Sequence, residues 1–379
     1  MGKKRAVIAL VSLLSFIGLG GVMALLKLRS QNLQKLILPP KLYALEEQEL
    51  NIYFDNIVMG RDTDYDFEVF CPAGGQQLEH CYRLIPTEPG WYDITINAYQ
   101  GGKKVASTTS TIIISDADAG DNVNRKVLVI GDSTTADGIC MGKLLTNFNE
   151  DAMDITLLGT KGNAPNLHEG ISGWTIDMYY SLSEFDGTKN AFWNPDTEKF
   201  DFSYYMNEQG YLDVDYVILN LGINDIFGVS YYTSSKDDVE KKINTMISQY
   251  HEMIESIHQF DANIKIGLAI TIPPSYSQDA FGKNYGTVYS RWRYREHYFL
   301  WCKRLIEEFK DKEKDGVFLV PVYTNLDTQY NMGIEYVQAN ARSPETIETT
   351  IANGSVHPNE FGYWQIADVY WFFLKSFER

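Results

Sequence analysis

Apolar and polar positions change rhythm several times along the chain, and each rhythm predicts a different element. An uncharged run from Ala6 to Leu26 follows Lys3, Lys4 and Arg5. As a helix it would span roughly 31 Å, the thickness of a bilayer core. Basic residues ahead of it predict a cytoplasmic N-terminus and an exported remainder. Val22-Met23-Ala24 is a mediocre cleavage site, so the run reads as an uncleaved transmembrane anchor within residues 1–30 in preference to a cleaved signal peptide. Gln31 to Lys41, with Pro39 and Pro40, reads as a linker.

From 42 to 115 the pattern becomes short and β-like. Leu50–Phe54, Tyr65–Phe70, Trp91–Tyr99 and Val105–Ile114 are candidate strands, punctuated by Gly74-Gly75, Pro89-Gly90 and Gly101-Gly102. Asp93 to Tyr99 alternates as a half-buried strand should. A small all-β sandwich is predicted, with the role of a spacer or packing module. Asp116 to Asn124 is acidic and rich in Gly, Asn and Asp, which marks an interdomain linker.

Over residues 123–379 continuous apolar runs alternate with helical stripes. Val127–Ile130, Ile155–Leu158, Tyr216–Leu221, Ile264–Ile270 and Val317–Val320 read as strands buried on both faces. Val239, Ile243, Met246, Ile247, Tyr250, Met253, Ile254 and Ile257 make one apolar stripe of a helix over Val239–Phe260. Further helices are predicted over Gly138–Phe148, Val288–Phe309 and Phe361–Phe377. Five strands joined by crossover helices imply an α/β fold, a doubly wound parallel sheet with helices on both faces. A long insertion, Gly159 to Asp213, carries Trp174, Tyr179, Tyr180, Phe185, Phe192, Trp193, Phe200, Phe202, Tyr204 and Tyr205. Most of these rings are expected in a satellite core, while a few would line a sugar-binding cleft; Trp174 is the substrate-binding candidate.

Charge narrows the partners. The 379 residues carry 33 Lys and Arg against 50 Asp and Glu, a net charge of −17. Nucleic acid is a poor match, because phosphate neutralisation needs clustered cations. The four cysteines have no CxxC spacing, so zinc and thioredoxin-like readings fall away. Cys71 and Cys81 lie close enough for a local disulfide if that region is outside the cell; Cys140 and Cys302 read as buried thiols.

Four features then occur in order at the ends of successive elements. They are Gly131-Asp132-Ser133, Ile171-Ser172-Gly173-Trp174-Thr175, Gly222-Ile223-Asn224-Asp225 and His357-Pro358. Each alone is an ordinary turn or cap. Together they suit acyl transfer. A serine hydroxyl needs an imidazole to take its proton, which His357 would do for Ser133. The resulting oxyanion needs preorganised donors, for which the N–H groups of Ser133 and Gly173 and the amide of Asn224 are candidates.

These residues, with Val356-His357-Pro358-Asn359 and Gly362-Tyr363, resemble an SGNH hydrolase of the GDSL esterase/lipase superfamily over Val123 to Arg379. The resemblance implies a flavodoxin-like three-layer α/β/α sandwich, with no metal or organic cofactor. It implies Ser133 as nucleophile, His357 as base, and Gly173 and Asn224 completing the oxyanion hole. One position departs. The family usually has Asp three residues before the histidine, where this chain has Gly354. A backbone carbonyl or Asn353 would orient His357, or Asp327 would swing in, or the site is impaired; a working Ser–His dyad is the preferred reading. The expectation is a single-pass, membrane-anchored, extracytoplasmic serine esterase acting on small O-acyl groups, O-acetyl on carbohydrate above all. Two alternatives stand beside it: an acyltransferase modifying envelope polysaccharide, and a non-catalytic surface glycan-binding protein with a degenerate triad.

Overall fold

The computed structural model describes residues 36–378. The run Ala6–Leu26, and the anchor expected of it, lie outside the described residues. Among those described, no helix is long and apolar enough to cross a membrane.

The N-terminal unit is built from two sheets. One has the order β1-β7-β6-β3, formed by β1 (Lys41–Leu45), β3 (Asp66–Phe70), β6 (Gly90–Gln100) and β7 (Lys103–Ser115). The other has the order β2-β5-β4, formed by β2 (Leu50–Tyr53), β4 (Gln76–Gln77) and β5 (Cys81–Leu84). Cys71 and Cys81 are free thiols, so the two sheets hold without the disulfide that the spacing allowed.

One expectation about this unit needs correction. Leu36, Ile37 and Leu38 are buried, and the Ile37 N–H donates to Ile57 O at 2.8 Å, so this part of the supposed linker belongs to the fold. Of the two roles expected, spacer or packing module, the packing one fits: the unit's buried side chains run into those of the α/β domain as one apolar cluster. Polar contacts seal the junction. The Asn56 amide donates to Tyr323 O (2.8 Å) and Leu326 O (2.7 Å), and the Tyr323 hydroxyl donates to Ile37 O (2.7 Å). Asp55 meets Arg291 at 2.9 Å and Arg295 at 3.1 Å, with all three side chains only 4–6% exposed.

The main sheet uses β8 (Asn124–Gly131), β9 (Asp154–Leu158), β11 (Asn166–Gly170), β16 (Tyr216–Asn220), β17 (Lys265–Ala269) and β18 (Val317–Val320). Between them lie β10 (Lys161–Asn163) and two short hairpins, β12 to β15, within residues 184–200. β9 and β11 pair in succession along the same edge of β8, and β16, β17 and β18 follow on its other side, all parallel. That is the 2-1-3-4-5 order of a flavodoxin-like sheet, whose ligand site lies beyond the strand carboxyl ends. The helix Glu360–Lys375 packs on Ile139–Asn149, and Lys236–Phe260 packs on Arg291–Phe309, completing three layers. All eight residues of the predicted apolar stripe are buried, and a capping box of Ser235 and Asp238 starts their helix.

The insertion resolves mainly as a satellite core. Trp174, Tyr179, Phe192, Phe200, Phe202 and Tyr205 are buried, and the Phe192 ring stacks on Tyr205 at 4.2 Å. β11 was not visible as an apolar run because it buries His168 and Glu169. Glu169 is satisfied by the Thr160 N–H at 2.6 Å and the Tyr205 hydroxyl at 2.9 Å. Burial still raises its carboxyl above the ordinary range.

Candidate active site

Strand β8 ends at Gly131, and Asp132 caps the single turn Ser133–Ala136. The buried Asp132 carboxylate accepts from the Thr134 N–H (3.0 Å) and hydroxyl (2.8 Å). Its task is to hold that turn, and burial pushes its pKa up to about 6. Ser133 is the first residue of the turn, so its N–H has no intrahelical acceptor.

The structure brings His357 to this serine across 224 positions of sequence, with Nε2 2.8 Å from Ser133 Oγ. The other ring nitrogen, Nδ1, lies 3.2 Å from the carbonyl oxygen of Asn353. A carbonyl can only accept, so Nδ1 carries the proton and Nε2 presents its lone pair to the serine. The missing triad aspartate is thus replaced by a backbone dipole, which sets the tautomer without supplying a charge. Asp327 does not swing in, because its Oδ1 accepts the N–H groups of Gln329 and Tyr330, both at 2.9 Å. Position 354 is also closed to a side chain. A Cβ on Gly354 would lie 2.8 Å from Thr350 Cγ2 and 3.1 Å from Gly333 O. Those atoms lie at the base of a hairpin, β19 (Ile334–Gln338) and β20 (Thr346–Thr350).

Gly173 and Asn224 arrive from the ends of β11 and β16. Gly173 has φ +80°, a left-handed conformation that glycine alone adopts freely, and nothing lies within 4 Å of where its Cβ would be. The Asn224 amide spends one N–H on Trp174 O at 2.9 Å and keeps a second. Its neighbour Asp225, fully buried, accepts the Ile176 N–H at 3.0 Å and pairs with Lys242 at 2.8 Å. Two adjacent side chains therefore tie the Gly173 loop to the end of β16, a positioning role for Asp225 that the sequence reading missed. Its only signal was an acidic residue inside the Gly222–Asp225 motif.

Trp174 is corrected. Its indole is 2% exposed and meets the Tyr179 ring edge-on at 5.0 Å, so it offers no face to a sugar. Its carbonyl, which holds Asn224, is what it contributes here. A second serine–histidine contact, Ser230 with His297 at 3.1 Å, is a buried structural pair, since Ser230 Oγ donates to Ile226 O at 2.6 Å. Among the described residues no group of three His, Cys, Asp or Glu side chains is arranged to hold a metal ion.

Burial holds His357 below the usual imidazole pKa, while its bond to Asn353 O and the charge of Asp137 pull the other way. A neutral imidazole within hydrogen-bond reach of a hydroxyl can deprotonate that hydroxyl as it attacks an electrophile.

Residues 127–369 match the family model described as GDSL-like Lipase/Acylhydrolase. No curated protein matches the chain. Similar solved structures include a family 3 carbohydrate esterase from Clostridium thermocellum, 17% identical over 65% of this chain and 94% of that one, with a TM-score of 0.37. Another is a family 3 carbohydrate esterase from Talaromyces cellulolyticus, 16% identical over 66% of this chain and 96% of that one, TM-score 0.38. A third is a GDSL-like lipase from Bacteroides thetaiotaomicron, 13% identical over 65% and 85%, TM-score 0.34.

Proposed function

Because the chain belongs to the GDSL-like lipase/acylhydrolase family and is an ester hydrolase, we propose that it removes small O-acyl groups, chiefly O-acetyl, from carbohydrate through an acyl-Ser133 intermediate. The observation that carries this reading is the 2.8 Å contact between His357 Nε2 and Ser133 Oγ, with the tautomer set by Asn353 O. Ser133 Oγ attacks the ester carbonyl carbon as its proton passes to His357 Nε2. The carbonyl oxygen becomes an oxyanion among the N–H groups of Ser133 and Gly173 and the spare N–H of Asn224. On collapse the ester C–O bond breaks and His357 returns the proton to the leaving alcohol. Water, deprotonated in turn by His357, then releases the carboxylic acid and restores Ser133.

A small acyl group is favoured because the site is shallow. Ser172 and Gly173 are exposed and Ser133 is half-buried, so a long acyl chain would stay in water. The basic cluster and uncharged run at the N-terminus support a membrane-anchored, extracytoplasmic placement.

Two measurements test the reading. A serine-reactive phosphonate is expected to label Ser133, and a panel of acyl esters to be hydrolysed in the order acetyl, butyryl, octanoyl. No adduct, together with no hydrolysis above background on any ester, would overturn it. The pH profile follows from the burial of His357. Burial disfavours the imidazolium, so the proton leaves at lower pH and the neutral base is present earlier. kcat/KM on an uncharged ester is expected to rise with pH about a midpoint below the 6.5 of an ordinary imidazole and to be level by neutral pH. A midpoint above 6.5 would contradict this account of the base.

A further inference from the structure

The direction of proton transfer divides the site into two sides. The oxyanion faces Gly173 and Asn224, whereas the leaving oxygen must face His357 Nε2, which protonates it. The alcohol half of the ester therefore lies on the imidazole side of Ser133. A groove of about 500 Å³ is lined in part by Asp137, Lys143, Asn166, Glu360 and Trp364. Its lining draws on the segments that follow both members of the dyad, Ser133 and His357. Asp137 is one turn past the nucleophile, its N–H donating to Ser133 O at 3.1 Å, and Glu360 begins the helix that starts three residues after His357. The Asp137 charge acts on the imidazole itself.

The walls of this groove are built. Helices Ile139–Asn149 and Glu360–Lys375 pack against each other, and the Asn166 amide is fixed by donating to Gly138 O at 2.9 Å. Lys143 Nζ stands 5.2 Å from the centre of the Trp364 ring, and Phe361, 55% exposed, meets Trp364 edge-on at 5.3 Å. Aromatic rings take the C–H face of a sugar, and carboxylates accept from its hydroxyls. Two carboxylates face one ammonium on a chain of net charge −17, so the groove repels anions. Its volume lies within the range of small-molecule sites.

We propose that this groove binds the alcohol half of the ester, and that the alcohol it accepts is a neutral, polyhydroxylated one, an uncharged oligosaccharide. The inference rests on the esterase reading above and adds which side chains select the substrate. It concerns the position and charge of the sugar, which the dyad alone does not decide.

The test compares three acetyl esters on the full chain: 4-nitrophenyl acetate, O-acetylated cellotetraose and O-acetylated tetragalacturonate. The ratio of kcat/KM for the cellotetraose ester to that for 4-nitrophenyl acetate is expected to fall about tenfold in Trp364→Ala, the size of a lost aromatic contact. A ratio is independent of how much of the variant folds. In the exposed Glu360→Gln, kcat/KM for the galacturonate ester is expected to rise several-fold relative to the cellotetraose ester. Unchanged ratios in both variants would overturn the groove as the sugar site. So would a wild-type preference for the anionic ester. Wild-type enzyme inactive on all three would overturn the esterase reading itself, and the groove assignment with it.

Discussion

Ser133→Ala will lower kcat on an acetyl ester by about 10,000-fold or more, because the covalent route ends with the hydroxyl. His357→Ala will cost a similar factor, since an unassisted serine hydroxyl is a poor nucleophile at neutral pH. The double variant will be little slower than either single one. Two groups joined by a 2.8 Å contact act as a unit, and removing the second takes away nothing the first has left working. The residual rate reports the oxyanion donors, which both variants keep. Retention of more than about a hundredth of the wild-type kcat by Ser133→Ala would remove the acyl-serine from the mechanism.

The second large effect is on stability, and it originates far from the nucleophile. Asp55→Ala will destabilise the fold by about 3–5 kcal/mol, the cost of stripping the partner from buried charge. Asp55 is the anion between Arg291 and Arg295 at the junction of the β unit and the α/β domain. Burial, then repulsion from Arg295, already draws the Arg291 pKa down to about 9 with Asp55 in place. Without it two guanidinium groups face each other in a dry interface. The urea midpoint is expected to fall with an unchanged slope. A loss below about 1 kcal/mol would show the junction to be solvated. The damage should also reach activity. Arg291 Nε donates to Ser275 O at 2.6 Å, and the Ser275 N–H donates to Ser355 O at 2.9 Å, two residues before His357. The N-terminal unit thus helps hold the histidine loop, which a spacer would not do.

How far these features could be read in advance depended on what carries each one. The five main strands were legible because a strand buried on both faces must be apolar throughout, and Val127–Ile130 is. β11 was not, because His168 and Glu169 are buried polar residues, the first accepting the Gly170 N–H and the second held by the Tyr205 hydroxyl 36 positions away. The hairpin β19–β20 escaped notice because much of both faces is in water, so it has no apolar period to display. Trp174 looked like a sugar platform because a tryptophan beside the candidate Gly173 is equally consistent with exposure and burial. Its packing on Tyr179 decided the matter.

The order of residue types was enough to place a serine, a glycine, an asparagine and a histidine at the ends of elements in an α/β fold. Strand and helix periods are local properties, and so is the chemistry of each side chain. What orients His357 was beyond that reach. Its partner is a main-chain carbonyl, a group every residue carries and no residue type announces. The Asp55–Arg291 pair, separated by 236 positions, was beyond it for a related reason. Charged residues are ordinarily solvated, and only the packing of the N-terminal unit against helices of the α/β domain made Asp55, Arg291 and Arg295 a buried ionic joint.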